Sequence, residues 1–212
     1  MDARGLLTTS GDGGSTEVER GTLLKRVAIT LGGVAAGGAA AAGFAEASAG
    51  NQAKHGDPSG RDRDILQLAL HIEQLQTAFY KEALSRGKLT GEVKQFAQVV
   101  GQDEQEHLTY IEHALGNPSA KAQKYTFGDA TAGDKQFAAA AAKLEDTALA
   151  AYNGQTGNMS PATLQSVARV ISVEARHAAW ARSLAGQIPA PVPVDSPISG
   201  AKAMNAINAY LA

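Results

Sequence analysis

The sequence contains no cysteine. This absence excludes disulfide bonds, thiolate metal sites, iron–sulfur centres and a cysteine nucleophile. Aromatic residues make up only 5% of the chain, and alanine is abundant from residue 129 onward, which favours closely packed helices over sheet. The net charge of −2 provides no basic field, so we expect no nucleic-acid partner. With 212 residues, 44% of them hydrophobic, the chain is long enough for one core.

The first 49 residues have the layout of a secretory signal. Three basic residues between positions 20 and 26 precede a weakly apolar run over 27–44, and the small residues "ASA" end at Ala49. The phrase "ERGTLLKR" resembles a twin-arginine export signal, except that Gly21 stands where the second arginine belongs. We therefore expect export, to the periplasm, the cell wall or the medium, and a flexible linker over 50–60. The alternative is a membrane anchor formed by residues 27–44, the only case in which we expect a membrane partner.

From Arg61 onward the apolar spacing is helical. Asp134 is the expected N-cap of the third helix and Gly154 its end, and Ser160 with Pro161 opens the fourth. A proline-rich stretch should be extended and lead to a last short helix. The predicted helices are Asp64–Arg86, Glu92–Leu115, Asp134–Asn153, Pro161–Leu184 and Gly200–Leu211.

The connections predict how the helices are arranged. Residues 87–91 and 154–159 are short turns, which force antiparallel pairs. Residues 116–133 can span about 55 Å when extended, whereas a helix of this size is about 35 Å long. We therefore predict an all-α four-helix bundle over residues 61–186, made of two antiparallel hairpins and one long crossover. Residues 187–212 form the tail and the short helix.

The two hairpins repeat each other in sequence. When "HIEQLQTAFY" (71–80) is set over "KLEDTALAAY" (143–152), two glutamates and two tyrosines coincide. When "DEQEHLTY" (103–110) is set over "VEARHAAW" (173–180), two Glu-x-x-His pairs coincide, and a tyrosine falls on a tryptophan. Duplication of a helical hairpin explains this pattern most simply. The coincident pairs are Glu73 with Glu145, Tyr80 with Tyr152, Glu104 with Glu174, His107 with His177, and Tyr110 with Trp180.

Six of these polar residues occupy positions where the helical spacing calls for apolar residues that face the core. Four carboxylates converging in a low dielectric would repel one another strongly without counter-charge. Two cations would supply that charge, and carboxylates with imidazoles but no thiolate suit iron or manganese, with zinc able to compete. The six residues are Glu73, Glu104, His107, Glu145, Glu174 and His177.

At these residues the sequence resembles the ferritin-like superfamily, specifically the bacterial ferritin-like domain family that includes desiccation-related proteins. The resemblance covers about residues 62–186 and rests on "LALHIEQLQTAFYKEAL", "DEQEHLTYIEHALG", "KLEDTALAAY" and "VEARHAAWAR". It implies a dimetal centre in which Glu104 and Glu174 bridge the two metals. Glu73 with His107 would then hold one metal, and Glu145 with His177 the other.

Three departures limit what the resemblance carries over. Members of the family often have an aspartate before each Glu-x-x-His, which orients a ligand histidine. Asp103 fits this pattern, but Val173 stands at the corresponding position of the second hairpin, so that support is missing in one half or is provided by another residue. The second helix has no methionine for haem, and without cysteine there is no rubredoxin-type electron donor. Tyr80, Tyr152, Tyr110 and Trp180 are candidate redox-active or hydrogen-bonding residues beside the metals. The alternative for each is simple packing with one hydrogen bond.

The expected function is that of an exported dinuclear iron or manganese protein that reacts with oxygen or peroxide. Ferroxidase-like chemistry or peroxide scavenging under stress would fit such a centre. The alternative is a non-enzymatic, secreted stress- or desiccation-related bundle whose metal site is structural or vestigial. Whether the protein is an enzyme, and whether it forms a homodimer, stays open at this point.

Overall fold

The structure is a computed structural model that describes residue 58 and residues 60–116 and 123–212. The predicted signal peptide, residues 1–49, and the alternative anchor, residues 27–44, lie outside the described residues. So does the predicted linker, apart from Pro58 and Gly60. Within the described ranges, no helix combines the length and the apolar character that crossing a membrane requires.

The described part of the chain has the predicted all-α fold. Two short 3-10 helices, Gly128–Thr131 and Thr156–Asn158, interrupt the connections between the longer helices. Ser160 caps the fourth helix as expected, because its Oγ accepts a hydrogen bond from the Thr163 N–H at 3.3 Å. The α-helices are α1 (Gly60–Ser85), α2 (Gly91–Ala114), α3 (Asp134–Gln155), α4 (Pro161–Leu184) and α5 (Gly200–Asn208).

Several predicted helix ends were wrong. α1 begins at Gly60 instead of Asp64, and α3 continues through Gly154, which the sequence suggested as its end. Asp134 is the first residue of α3, and the N-cap is Gly133. The Asp134 carboxylate accepts hydrogen bonds from Thr90. α5 ends at Asn208 because the following residues leave the helix to pair with the crossover segment, where Leu211 forms an isolated bridge.

Two contacts at opposite ends of the bundle show that α2 ends at one end and α3 begins at the other. At one end, the Thr90 N–H before α2 donates to Asp134 at the start of α3, at 2.9 Å. At the other end, the Ser160 N–H before α4 donates to Asp62 near the start of α1, at 2.9 Å. α1 therefore runs antiparallel to α2 and to α3, as in a bundle with one long crossover. α1 packs chiefly against α2, and α3 against α4.

A cluster of buried aromatic rings fills one end of the core. Phe79 stacks on Phe137 with ring centroids 5.1 Å apart, and Tyr80, Phe96 and Phe127 pack edge-on around them. All five side chains are at most 6% exposed. These few aromatic residues thus form one layer of the core. The buried polar residues described below lie next to this layer along the bundle.

The C-terminal segment covers the groove between α1 and α3. α5 contacts both helices and buries Ala203 and Ile207, which lie four residues apart on one face. Before α5, the Ile198 N–H donates to the Ala150 carbonyl at 3.0 Å. A Cβ at Gly154 would lie 1.9 Å from the Ile198 carbonyl oxygen, so only glycine permits this approach.

We expect Gly154→Ala to loosen the C-terminal segment. Because the clash is with backbone and not with a flexible side chain, the segment has to shift, and overpacking of this kind costs about 1–3 kcal/mol. The free energy of unfolding in urea should fall by this amount, and limited proteolysis should cut the segment before α5 faster than in the wild type.

Gly157→Ala is the matched control. Gly157 lies three residues away, and a Cβ there would meet no atom within 4 Å. Equal stability and equal proteolysis of the Gly154 variant and this control would contradict the assigned role of Gly154.

Candidate metal centre

Four glutamates and two histidines from all four bundle helices meet in the interior. The glutamates are 0% exposed and the histidines 4%. They form two overlapping groups of four residues, and within each group one donor atom per residue lies within 4.8 Å of the others. One group is Glu73, Glu104, His107 and Glu174, and the other is Glu104, Glu145, Glu174 and His177.

Helical spacing and apolar neighbours direct these side chains inward. In α2, Glu104 and His107 lie three residues apart, between Val100 and Ile111, which are both fully buried. Residues three or four apart share one face of a helix, so the apolar pair turns the polar pair toward the core. The corresponding pair in α4 is flanked in the same way, and α1 and α3 each add one glutamate.

Seven buried oxygen and nitrogen atoms of this cluster have no hydrogen-bond partner among the described residues. Nδ1 of His107 lies 2.9 Å from Oε1 of Glu174, but the pair is not aligned as a hydrogen bond. An unpaired buried polar atom costs about 1–3 kcal/mol, so seven together indicate that another group completes them. Carboxylate oxygens and imidazole nitrogens suit a metal ion. The atoms are Oε2 of Glu73, both carboxylate oxygens of Glu104 and Glu174, and Nδ1 of His107 and His177.

Burial dominates the electrostatics of the carboxyl groups. It raises the pKa of Glu73 and Glu145 well above the usual value, and the nearby charges of Glu104 and Glu174 raise it further. Burial and the charge of Glu104 also raise the pKa of Glu174. At Glu104, burial has the same direction, but the adjacent imidazoles of His107 and His177 outweigh it and lower the pKa to about 2.

The histidines are shifted toward their protonated forms. Burial disfavours the imidazolium of His107, but Glu104 and Glu174 outweigh it and raise the pKa to about 12. For His177 burial is outweighed by Asp103 and Glu104, and the pKa rises to about 10. Protons bound to the histidines and carboxyls therefore partly balance the buried charge, and a metal ion would replace them.

The two tyrosines cross between the halves of the bundle. The Tyr80 hydroxyl donates to Oε1 of Glu145, and the Tyr152 hydroxyl donates to Oε1 of Glu73. Each tyrosine therefore reaches the glutamate of the other hairpin and not the one seven residues before it. Burial raises the pKa of both phenols well above the usual value, so they stay neutral hydrogen-bond donors.

Two further residues hold the cluster in place. Nε2 of Gln76 donates to Oε2 of Glu145 at 3.0 Å, which gives Glu145 a donor on each oxygen. Gln76 lies three residues after Glu73 on the same buried face; this position was a signal, but sequence reasoning assigned it no role. Oδ2 of Asp103 lies 3.0 Å from Nε2 of His177. Asp103 thus orients the histidine of the other hairpin.

Other polar and aromatic residues near these motifs do not join either group of donors. The Trp180 indole N–H donates to Glu92 at the surface, 3.2 Å away, and Tyr110 packs against the core. Glu106 accepts a hydrogen bond from Gln102 on the exposed side of α2. His71, Glu112 and His113 also lie outside both groups of donors.

The chain forms a helical bundle with one long crossover, and all four helices contribute carboxylates or imidazoles to its interior. This combination is typical of metal-binding four-helix bundles. Residues 61–187, well over half of the chain, match the ferritin-like domain family, so the chain belongs to that family. A comparison with curated proteins finds no match for the chain. The resemblance noted in the sequence is thus confirmed at the level of the ferritin-like superfamily.

We expect the metal-free protein to lose stability as the pH rises from about 5 to about 8. The raised pKa values of three glutamates and both histidines mean that the folded state binds more protons than the unfolded state in this range. The free energy of unfolding then falls with pH. Urea unfolding in excess chelator at several pH values measures this slope.

The double variant Glu73→Gln, Glu145→Gln should make this slope shallower, because it removes two of the groups with raised pKa. Glu106→Gln, on the exposed side of α2, is the control and should keep the wild-type slope. A free energy of unfolding that rises across this pH range would contradict the assigned protonation.

Proposed function

We propose that this chain binds two ions of iron or manganese in the buried cluster and reacts with oxygen or peroxide, as a ferroxidase-like or peroxide-scavenging protein in stress protection. The supporting observation is that two groups of four donors share two carboxylates. In the proposed centre, Glu104 and Glu174, which belong to both groups, would hold both ions. Glu73 with His107 would hold one ion, and Glu145 with His177 the other.

Charge balance supports two ions and not one. Four ionised carboxylates carry four negative charges, which two divalent cations neutralise while the imidazoles stay neutral. The cluster contains no thiolate, so carboxylate and imidazole preferences favour iron or manganese, and zinc can compete for the same atoms.

When bound, two such ions supply two electrons to one oxidant molecule. The residues of the chain provide the surroundings of that reaction. Tyr80 and Tyr152 hold Glu145 and Glu73 in position and keep their protons, which places two phenols directly beside the proposed ligands. The complete burial of the glutamates excludes bulk water. Asp103, partly exposed, accepts a hydrogen bond from the Nε2–H of His177 and so holds Nδ1 toward the centre.

The proposal includes export, which is supported by the basic, apolar and small-residue pattern before residue 50. A structural metal site in an exported stress protein is the second candidate. The observation that favours it is the near-complete burial of all six residues, which restricts access of an oxidant to the centre. Reaction with peroxide separates the two candidates.

The test is an aerobic titration of the metal-free protein with Fe(II). We expect near-ultraviolet absorption of ferric iron to grow and to saturate near two irons per chain, because each group of donors takes one ion. The double variant Glu104→Ala, Glu174→Ala removes both shared carboxylates and should reduce bound iron to below about a tenth of that in the wild type.

Glu106→Ala is the matched control, since it removes a glutamate from the exposed side of α2, two residues from Glu104. It should bind iron as the wild type does. Equal iron binding by the double variant would refute the ligand assignment. Two bound irons with peroxide consumed no faster than in buffer would favour the structural site over the enzyme.

A further inference from the structure

The two halves of the metal centre are not equivalent, although the hairpins repeat in sequence. Behind His177, Oδ2 of Asp103 lies 3.0 Å from Nε2. The position that corresponds to Asp103 in the second hairpin is Val173, which is partly buried. Among the described residues, His107 approaches carboxylates only through Nδ1, on the side of the centre.

The two glutamates outside the Glu-x-x-His pairs, Glu73 and Glu145, also differ, because the one beside His177 accepts more hydrogen bonds. Glu145 accepts hydrogen bonds on both oxygens, from Tyr80 and from Gln76. Glu73 accepts one, from Tyr152, and its Oε2 has no partner among the described residues. The residue that corresponds to Gln76 is Ala148, which carries no donor. One half is therefore held by two polar side chains that the other half lacks.

These differences act on metal affinity through known physical effects. A carboxylate behind a ligand histidine fixes its tautomer, increases the basicity of the ligating nitrogen and adds negative charge near the cation. Loss of such a partner typically weakens metal binding about 10–100-fold. A glutamate held by two donors is also oriented before the metal arrives, so less conformational entropy is lost on binding.

We infer that the two metal positions fill in sequence, the Glu145–His177 position first, and that Asp103 and Gln76 are the positioning residues that create the difference. The inference rests on the proposed dimetal centre. The ion between Glu73 and His107 is then the more weakly held one. A chain supplied with one equivalent of metal holds its ion mainly at the Glu145–His177 position, and the second ion exchanges more readily.

The experiment measures the two stepwise dissociation constants of Mn(II) for the metal-free full chain, by competition with a chelator. Two identical positions would fix the ratio of the second dissociation constant to the first by statistics alone. We expect the second constant to exceed that statistical value at least about tenfold. Asp103→Asn should weaken the Glu145–His177 position about 10–100-fold. The first step then weakens until it reaches the affinity of the other position. Val173→Asp supplies the missing carboxylate and should tighten the second step, which brings the two constants together.

Two controls match these variants. Val99→Asp adds the same charge on α2 at a position that is 37% exposed, and Asp195→Asn removes a carboxylate from the exposed tail. Both should bind Mn(II) as the wild type does. Anomalous diffraction from crystals grown with one equivalent of Mn(II) locates the first ion, which should lie between Glu145 and His177.

The outcomes separate the inference from the proposed function. Equal affinities in the wild type, first occupancy between Glu73 and His107, or unchanged constants in both Asp103→Asn and a folded Val173→Asp would overturn the sequential filling. No Mn(II) or Fe(II) binding at either step would overturn the dimetal centre itself. Two unequal steps that respond to Asp103→Asn support the inference even if Val173→Asp does not fold.

Discussion

The strongest constraint on the interior of the bundle is the burial of four carboxylates around a common point. Two unit charges 4 Å apart repel by about 4 kcal/mol at an effective dielectric constant of about 20, so four ionised glutamates at 0% exposure require compensating positive charge. Burial and the neighbouring carboxylates raise the pKa of three glutamates, and carboxylates raise the pKa of both histidines, so bound protons would reduce the buried negative charge. Metal ions would replace the protons at donor atoms that already converge.

The hydrogen bonds around the cluster join the two hairpins to each other. Tyr80 bonds to Glu145, Tyr152 to Glu73, and Asp103 to His177, so each hairpin supports donors of the other. A duplicated hairpin thereby forms one site and not two. The support is unequal, because Val173 stands where the repeat would place a second aspartate, so the corresponding contact exists only behind His177.

Much of the fold and of the candidate site could be predicted from the sequence. The 3–4 spacing of apolar residues identified four helices, and polar residues on those buried faces identified all six members of the cluster. Helix ends were less predictable, because competing contacts decide them. Asp134 has cap chemistry, but it bonds instead to Thr90. α3 continues through Gly154, where glycine permits the close approach of the C-terminal segment and does not end the helix. The buried position of Gln76 was visible in the helical spacing, but its role was not, since its partner Glu145 lies on another helix, 69 residues away.

The sequence by itself determined which residues face inward, because helical periodicity is a local property that any helix formed by this chain must obey. It also determined the order of the hairpins and the length of the crossover between them. Only the tertiary structure decided which tyrosine meets which glutamate, that Asp103 orients His177, and that one half of the centre is better held than the other. These are contacts between helices, and their pairing depends on how the bundle packs and not on spacing along any one helix.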